Sequence, residues 1–371
     1  MHRARLISYV FVTVTFTLNI IYASEILSLF GLTGKSLYYS CKYLRSSVWF
    51  VFMDVQFNTN FRYLNIMNRS YVNSWVMFIS IIFHSLWCYI FITILDLDVT
   101  GAALSVFVSR GINASLSSGY LHYYNPHPES YFWINKECFI GWWEYLKFTF
   151  PSIILLCSEW LGFEIQAVIA LQIPNGKYDY SAHIFLSNLN TIIFAFSLGF
   201  AISSAIMTGK YIAQGKVGTT KKVIKTVFIY GQTVMLFISI IYYMFGHSFL
   251  SVFTSDYLIL EKAMLVIGIQ AISVNFDMAQ TVLSNSCRGL GKQFIASVIS
   301  FLCYYVYALC TSIILTIYFE YRIVGIWISL STGYAISSLI YAVLLFTFDY
   351  EEIKNETKYR LDRDINVIKE M

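Results

Sequence analysis

Apolar residues run along this chain in stretches of roughly twenty, each closed by a short polar interval. That is the length an α-helix needs to cross about 30 Å of hydrocarbon. The pattern predicts helices over residues 7–31, 44–61, 72–95, 99–121, 147–173, 184–208, 224–248, 260–285, 295–319 and 323–348. The expected fold class is an all-α integral membrane protein with about ten transmembrane helices. The second stretch is the least apolar, because Asp54, Gln56 and Asn58 interrupt it.

The pattern also repeats. Phe30-Gly-Leu-Thr precedes the stretch holding Asp54, as Phe253-Thr-Ser-Asp precedes the one holding Asp277, and one numbering offset relates both pairs. Arg62 pairs with Arg288, and Val99-Thr-Gly101 with Val324-Gly325, at nearly that offset. A separation spanning six helices preserves direction across the membrane, so the two copies are parallel repeats related by an axis along the membrane normal. The second copy, from about Trp142, holds six helices; projected back, its start falls before Met1, so the first copy is expected to lack its first two. The expected organisation is a partial N-terminal lobe of four helices (1–121), a linker (122–142) containing Pro126 and Pro128, a C-terminal lobe of six helices (143–348), and a tail (349–371) read as solvated helix or coil.

Composition narrows the class. The chain is 57% hydrophobic and 12% charged, about half the charged fraction of soluble domains. Its net charge of +4 is small for 371 residues and leaves no footprint for nucleic acid. The seven cysteines show no CxxC spacing, which argues against a disulfide or zinc framework. Walker, GxGxxG, HExxH and GxSxG signatures are missing, so no enzyme is expected. The start, His2-Arg-Ala-Arg5 followed by an apolar run, has the shape of a signal peptide, but the run continues to about Leu32, which suits a retained helix better. Basic residues at Arg3, Arg5, Arg62, Arg69, Lys210 to Lys225, Arg288 and Lys292 share one side, against dissenting Lys35, Lys42 and Arg45. Both termini are therefore expected in the cytoplasm.

Candidate chemistry sits where charge is expensive. Glu159 and Glu164 lie within one apolar stretch, where a carboxylate costs roughly 2.5–3.5 kcal/mol at a helix centre. Five residues apart, they project about 140° from each other and about 7.5 Å along the axis, so they cannot face one point. Cation or proton binding and a structural hydrogen-bonding role both remain open for them. Asp277 is the third candidate. Asp54, its repeat mate, reads either as a site residue or as a polar residue wetted near a helix end. Asn188, Asn190 and Gln166 read as interhelical hydrogen-bonding groups or as substrate contacts. Arg110 reads as snorkelling to the interface in preference to pairing with a carboxylate.

Trp143-Glu-Tyr-Leu-Lys147, Phe150-Pro-Ser152, Leu156-Cys-Ser-Glu-Trp160, Phe163-Glu164, Leu198-Gly-Phe200, Phe276-Asp277 and Arg288-Gly-Leu-Gly-Lys-Gln293 together resemble the multidrug and toxic compound extrusion (MATE) transporter family, in its eukaryotic branch. The resemblance covers 142–350 closely and the first half more loosely, through Arg62-Tyr-Leu64 and Gly101-Ala-Ala-Leu104. It places Met1 at the start of the family's third helix. It implies a two-lobed bundle and a secondary antiporter exporting organic cations or other small amphipathic xenobiotics or metabolites in exchange for protons. It also implies Glu159, Glu164 and Asp277 as substrate and proton sites, with Asn188, Gln166 and Asp54 secondary. The only implied cofactor is the coupling ion, H+. The implied partners are a small-molecule substrate and the lipid bilayer. A monomer is implied, in the plasma membrane or an intracellular, for instance vacuolar, membrane. Departures include Asn188, where animal members carry an acidic residue, and Met207-Thr-Gly-Lys210 after that helix. Two alternatives stay open: a non-transporting fragment, and a lipid or oligosaccharide flippase, against which the carboxylates argue because anionic phosphates favour basic residues.

Overall fold

A computed structural model describes residues 2–29, 33–124, 136–174 and 176–370. Side chains at 29, 136, 137, 144, 148, 151, 152, 155, 156, 158–160 and 363–370 are outside the description. The Phe30-Gly-Leu32 segment, Pro126 and Pro128 therefore also fall outside it. Every regular element among the described residues is helical. The chain divides into two compact units, Met1–Tyr145 and Leu146–Met371.

The first unit holds α1 (His2–Ile21), α2 (Ala23–Leu29), α3 (Gly34–Ile66), α4 (Ser70–Cys88) running into a wide π-helical turn (Tyr89–Ile94), and α5 (Asp98–Tyr123). The second begins within α6 (Trp142–Leu171). It continues through α7 (Lys177–Ala213), α8 (Val217–Ser251) and α9 (Tyr257–Gly289) to a rod made of α10 (Gln293–Phe301), a π segment (Leu302–Ala308), α11 (Leu309–Ile313) and a π turn (Ile314–Tyr318). Then come α12 (Arg322–Thr347) and α13 (Tyr350–Glu370). These elements follow the ten expected spans in order. Seven of them are long and apolar enough to cross a membrane among the described residues. Among the others, α3 and α5 differ because they spend many positions on polar groups; within α6 the described apolar stretch is Leu161–Leu171.

The repeat is built into the backbone. α3 and α9 begin and end at the offset that relates Asp54 to Asp277, and α5 and α12 begin and end one position beyond it. Left-handed residues recur in register: Asn68 (φ 57°) with Gly291 (φ 74°), Asp96 (φ 49°) with Glu320 (φ 58°), and Asp98 (φ 49°) with Arg322 (φ 52°). Turn hydrogen bonds recur too. Leu97 N–H donates to Phe91 O at 3.1 Å, as Tyr321 N–H does to Leu315 O at 2.9 Å. Both turns thereby satisfy peptide groups within themselves, in one pattern.

Each π turn leaves its carbonyls against the start of the next helix. A Cβ on Gly101 would sit 2.6 Å from Phe91 O, and one on Gly325 would sit 2.9 Å from the Leu315 carbonyl carbon. Only glycine fits either position without a backbone shift. The expected pairing of Arg62 with Arg288 is corrected. Asn68 N–H donates to Asn65 O as Gly291 N–H donates to Arg288 O, so Asn65 is the repeat mate of Arg288. The two arginines lie three positions out of register, and local similarity of the flanking residues had aligned them.

Small polar side chains lie between the helices beside an apolar core, and large apolar side chains face outward, the arrangement lipid selects. Phe346 is 91% exposed and Trp75 63%, while Ser204, Ser286 and Gln270 are fully enclosed. In the second unit Ser204 Oγ and Ser286 Oγ meet at 2.7 Å between α7 and α9. Tyr242 donates to Gln270 Oε1 at 2.5 Å, and Gln270 Nε2 donates to Leu186 O at 2.9 Å, joining α8, α9 and α7. Trp327, Tyr334, Met278 and Leu186 fill the core among α7, α9 and α12. Arg322 at the head of α12 pairs with the buried carboxylate of Asp179 at 2.6 Å. The first unit has a smaller core around Phe57, Leu64 and Leu121 and depends more on polar links. There Arg5 Nη2 donates to Asn60 Oδ1 at 2.9 Å, and Asn60 Nδ2 donates to Ser118 Oγ at 2.8 Å.

The tail departs from the solvated reading. α13 buries Tyr350 and Ile353, one helical turn apart on one face, in a cluster with Ile212, Leu290 and Leu345. Lys292 Nζ lies 2.8 Å from Glu356 Oε2, and Lys221 Nζ sits 4.7 Å from the Tyr350 ring centroid. Two apolar side chains among many charges hold the first turns of the helix down, a signal the charge-rich sequence masked.

Candidate functional site

A cavity of about 190 Å³ lies inside the second unit. Its largest wall is one stripe of α7. His183, Ser187, Asn190, Thr191 and Phe194 recur at spacings of 4, 7, 8 and 11 from the first, the period of a single helix face. Asn188 and Ile184 widen that stripe. From α6 come Phe163, Glu164 and Ala167, from α9 Asp277 and Gln280, and from the π segment after α10 Tyr304.

Asp277 is 4% exposed. Its Oδ1 accepts hydrogen bonds from Gln280 Nε2 at 3.0 Å and Thr281 Oγ1 at 3.4 Å, both on its own helix. No lysine or arginine lines the cavity among the described residues. Two carboxyl groups, Glu164 and Asp277, thus share one space with amide, hydroxyl and imidazole groups and the rings of Phe163, Phe194 and Tyr304. Negative charge without a protein counter-ion in a weakly polar setting attracts cations or protons, and aromatic faces add to the attraction for an organic cation.

The expected site residues separate on this map. Glu164, Asp277 and Asn188 come together around the cavity, as does Asn190. Gln166 is fully buried on another face of α6 and accepts from Ser312 Oγ at 2.6 Å, an interhelical bond. The side chain of Glu159 lies outside the described residues. Asp54 belongs to the first unit and is not free. Its Oδ1 lies 3.1 Å from Arg110 Nη1, and its Oδ2 accepts from Asn58 Nδ2 at 2.8 Å. The snorkelling expectation for Arg110 is therefore corrected: a carboxylate one helix away gives it a partner inside the unit. Asp54 also borders a separate cavity of about 360 Å³ with Ser8, Asn58 and Arg62.

Sequence reasoning passed over His183 and Gln280. His183 is 1% exposed, with its ring 5.7 Å from that of Trp327. A lone histidine in an apolar run carries no motif. The signal that finds it is the polar stripe it heads along α7.

Comparison with known proteins places this geometry. The MatE family model matches residues 151–314, which contain every described lining residue of the cavity. The chain is 24% identical over 75% of its length to multidrug and toxin extrusion protein 1 of Danio rerio, covering 47% of that protein. It is 22% identical over 77% of its length to DETOXIFICATION 14 of Arabidopsis thaliana, covering 59% of it. The chain thus spans about half to three fifths of the length of these relatives. In fold it is similar to the crystal structure of the eukaryotic MATE transporter AtDTX14, with a TM-score of 0.92, 19% identity, 97% of this chain and 80% of that one. It is also similar to the MATE transporter VcmN of Vibrio cholerae in its bent form, with a TM-score of 0.77, 14% identity, 97% of this chain and 80% of that one. A MatE match over residues 151–314, a set of extrusion-protein relatives and a shared helical architecture agree: this chain is similar to MATE transporters in sequence and in fold.

Proposed function

We propose that the chain moves small organic cations across a membrane in exchange for protons, with Asp277 and Glu164 as the groups that hold cation and proton in turn. The observation that carries this reading is the pair of carboxylates lining one cavity that no lysine or arginine lines among the described residues. Exchange follows from competition. A carboxyl group in a weakly polar cavity holds either a proton or a cation, so loading one releases the other. Asn188 and Asn190 orient the cargo by hydrogen bonds, and the aromatic rings accept its apolar part. Glu159 stays within the proposal as a second carboxylate of α6. Both termini on the cytoplasmic side, a monomeric state and residence in the plasma or an intracellular membrane complete the reading. The excess of lysine and arginine on one set of loops supports that orientation.

The test is uptake of a fluorescent organic cation into acid-loaded proteoliposomes, for the chain as it stands and for a form extended upstream. Proton-dependent uptake that Asp277→Asn and Glu164→Gln each abolish, with protein levels unchanged, is the expected result. Uptake unchanged in both variants overturns it. The chain's share of its relatives' length supports a second reading, a non-transporting fragment, and uptake by the extended form alone would establish that one.

A further inference from the structure

Resting on that reading, we infer that one extra residue in the rod of the second unit completes the cation cavity, by widening a turn that sets Tyr304 against the cargo. The matching segments of the two units differ in length by that residue. Ser70–Ile94, which is α4 with its π turn, has 25 residues, and Gln293–Tyr318 has 26. Asn68 and Gly291 precede them at the offset that relates Asp54 to Asp277, whereas Asp96 and Glu320 follow one position beyond it. The extra residue therefore lies inside the rod. Contacts with the neighbouring helix narrow its place. In the first unit Ser80 Oγ donates to Ser109 O at 3.1 Å and His84 Nδ1 lies 2.8 Å from Ser109 Oγ, so two residues four apart meet one residue of α5. The mate of Ser109 on α12 is Gly333, where a Cβ would stand 3.5 Å from Cys303 O and 3.2 Å from Ala308 Cβ. Those two residues are five apart.

Ile81, Ile82 and Phe83 fill the interval in α4, where the helix is regular; Tyr304, Tyr305, Val306 and Tyr307 fill it within the π segment Leu302–Ala308. A single wide turn inside an α-helix is a form that recurs at functional sites. The four side chains divide the work. Tyr304 is 4% exposed and lies beside α6, where a Cβ on Gly162 would stand 3.7 Å from its Cδ1. Its ring meets that of Tyr334 edge-on at 5.8 Å, and it lines the cavity together with Phe163 and Asp277. Tyr305 Oη donates to Cys157 O of α6 at 3.3 Å. Val306 faces outward, 53% exposed. Tyr307 returns to α12, its Cδ1 4.0 Å from the same point over Gly333. An α turn has room for three of these four, so the added residue is what lets the rod hold α12 at Cys303 and Ala308 while reaching α6 and the cavity between them. An aromatic wall beside two carboxyl groups suits an organic cation.

The experiment measures binding of tetramethylammonium to the purified chain by calorimetry, with thermal melts in detergent alongside. Deleting Val306 gives the second rod the length and the spacing of its mate, which ends in the same closing turn, so the melt is expected to stay within a few degrees of the unmodified chain. Binding is expected to weaken about tenfold as the turn tightens and Tyr304 withdraws. Tyr304→Leu is expected to weaken it as much, while Tyr304→Phe, which keeps the ring, holds it within about twofold. A deletion that unfolds the chain assigns the extra residue to the fold and overturns the inference. A folded deletion variant that binds as tightly as the unmodified chain overturns it too, as do equal losses, or no loss, in Tyr304→Leu and Tyr304→Phe. No binding by the unmodified chain overturns the exchange reading as well, whereas binding that is indifferent to every rod variant leaves that reading standing.

Discussion

Asp54 and Asp277 occupy the same position in two copies of one fold, on α3 and on α9, and their surroundings differ completely. In the first unit Arg110 neutralises the carboxylate at 3.1 Å. In the second, Asp277 is held by a neutral amide and a hydroxyl and opens onto a cavity. Under the offset that carries α5 onto α12, the position mirroring Arg110 is Tyr334, a core residue that brings no charge. A repeat thus fixes where a carboxylate sits in the bundle, while the residue opposite decides whether it is available to bind anything. Salt-bridged charge stabilises a helix pair; charge held by neutral donors stays open to exchange.

The largest effect expected is functional and one-sided. Asp277→Asn abolishes proton-driven cation uptake, whereas Asp54→Asn leaves it within a few-fold of the unmodified chain. Parallel uptake assays check this, and equal losses would erase the contrast between the units. Next come the paired glycines. Gly101→Ala and Gly325→Ala both press a Cβ into backbone at less than 3 Å, and overpacking of that kind costs roughly 1–3 kcal/mol. Thermal melts in detergent are expected to drop for each, and a harmless change at one of them would show that the two turns are alike in shape only. Arg110→Leu strands the Asp54 carboxylate. Both side chains keep 32–40% exposure, so the loss is expected near the exposed-pair scale of about 1 kcal/mol, and Asp54→Asn in the same chain restores most of it. A double-mutant cycle reads that coupling directly.

Smaller still is Ser312→Ala, which removes the bond to Gln166. Interhelical hydrogen bonds in membranes average about 0.6 kcal/mol, so a melt lowered by more than a few degrees would mark Gln166 as more than a structural link. The smallest effect is a pH dependence at the tail. Lys292, and after it Arg360, hold the Glu356 carboxyl below its usual range against a slight opposing effect of burial. A folded-state pKa below the unfolded one adds stability above the unfolded value and loses it as pH falls through the folded one. Docking of α13 is therefore expected to weaken under acid conditions, by a few tenths of a kcal/mol for an exposed pair. Limited proteolysis of the tail across pH, compared with Glu356→Gln, checks the sign.

Much of the architecture was legible because it rests on local rules. Apolar length gave the spans, and the echo around Asp54 and Asp277 gave the parallel repeat. Glu164 and Asp277 stood out because an ionisable group in an apolar run is costly wherever it sits. What escaped the sequence depended on partners from distant positions. The Asp54–Arg110 pair joins α3 to α5 with the whole of α4 between them in the chain, and Gln166 turns towards α11 instead of the cavity. Tyr350 and Ile353 look ordinary until Leu290 and Ile212 are seen beneath them. His183 gains meaning only when its α7 stripe meets Asp277 and Gln280 of α9.

The doubled π turn also separates what the two units share from what they do not. Its left-handed residues, its two closing hydrogen bonds and its glycine contact recur at one offset, so both units are built around one and the same turn. Asp54 and Asp277 share their place in that frame, whereas Arg110 has no charged counterpart at Tyr334. The frame is common to both units, and the charge set upon it is particular to each.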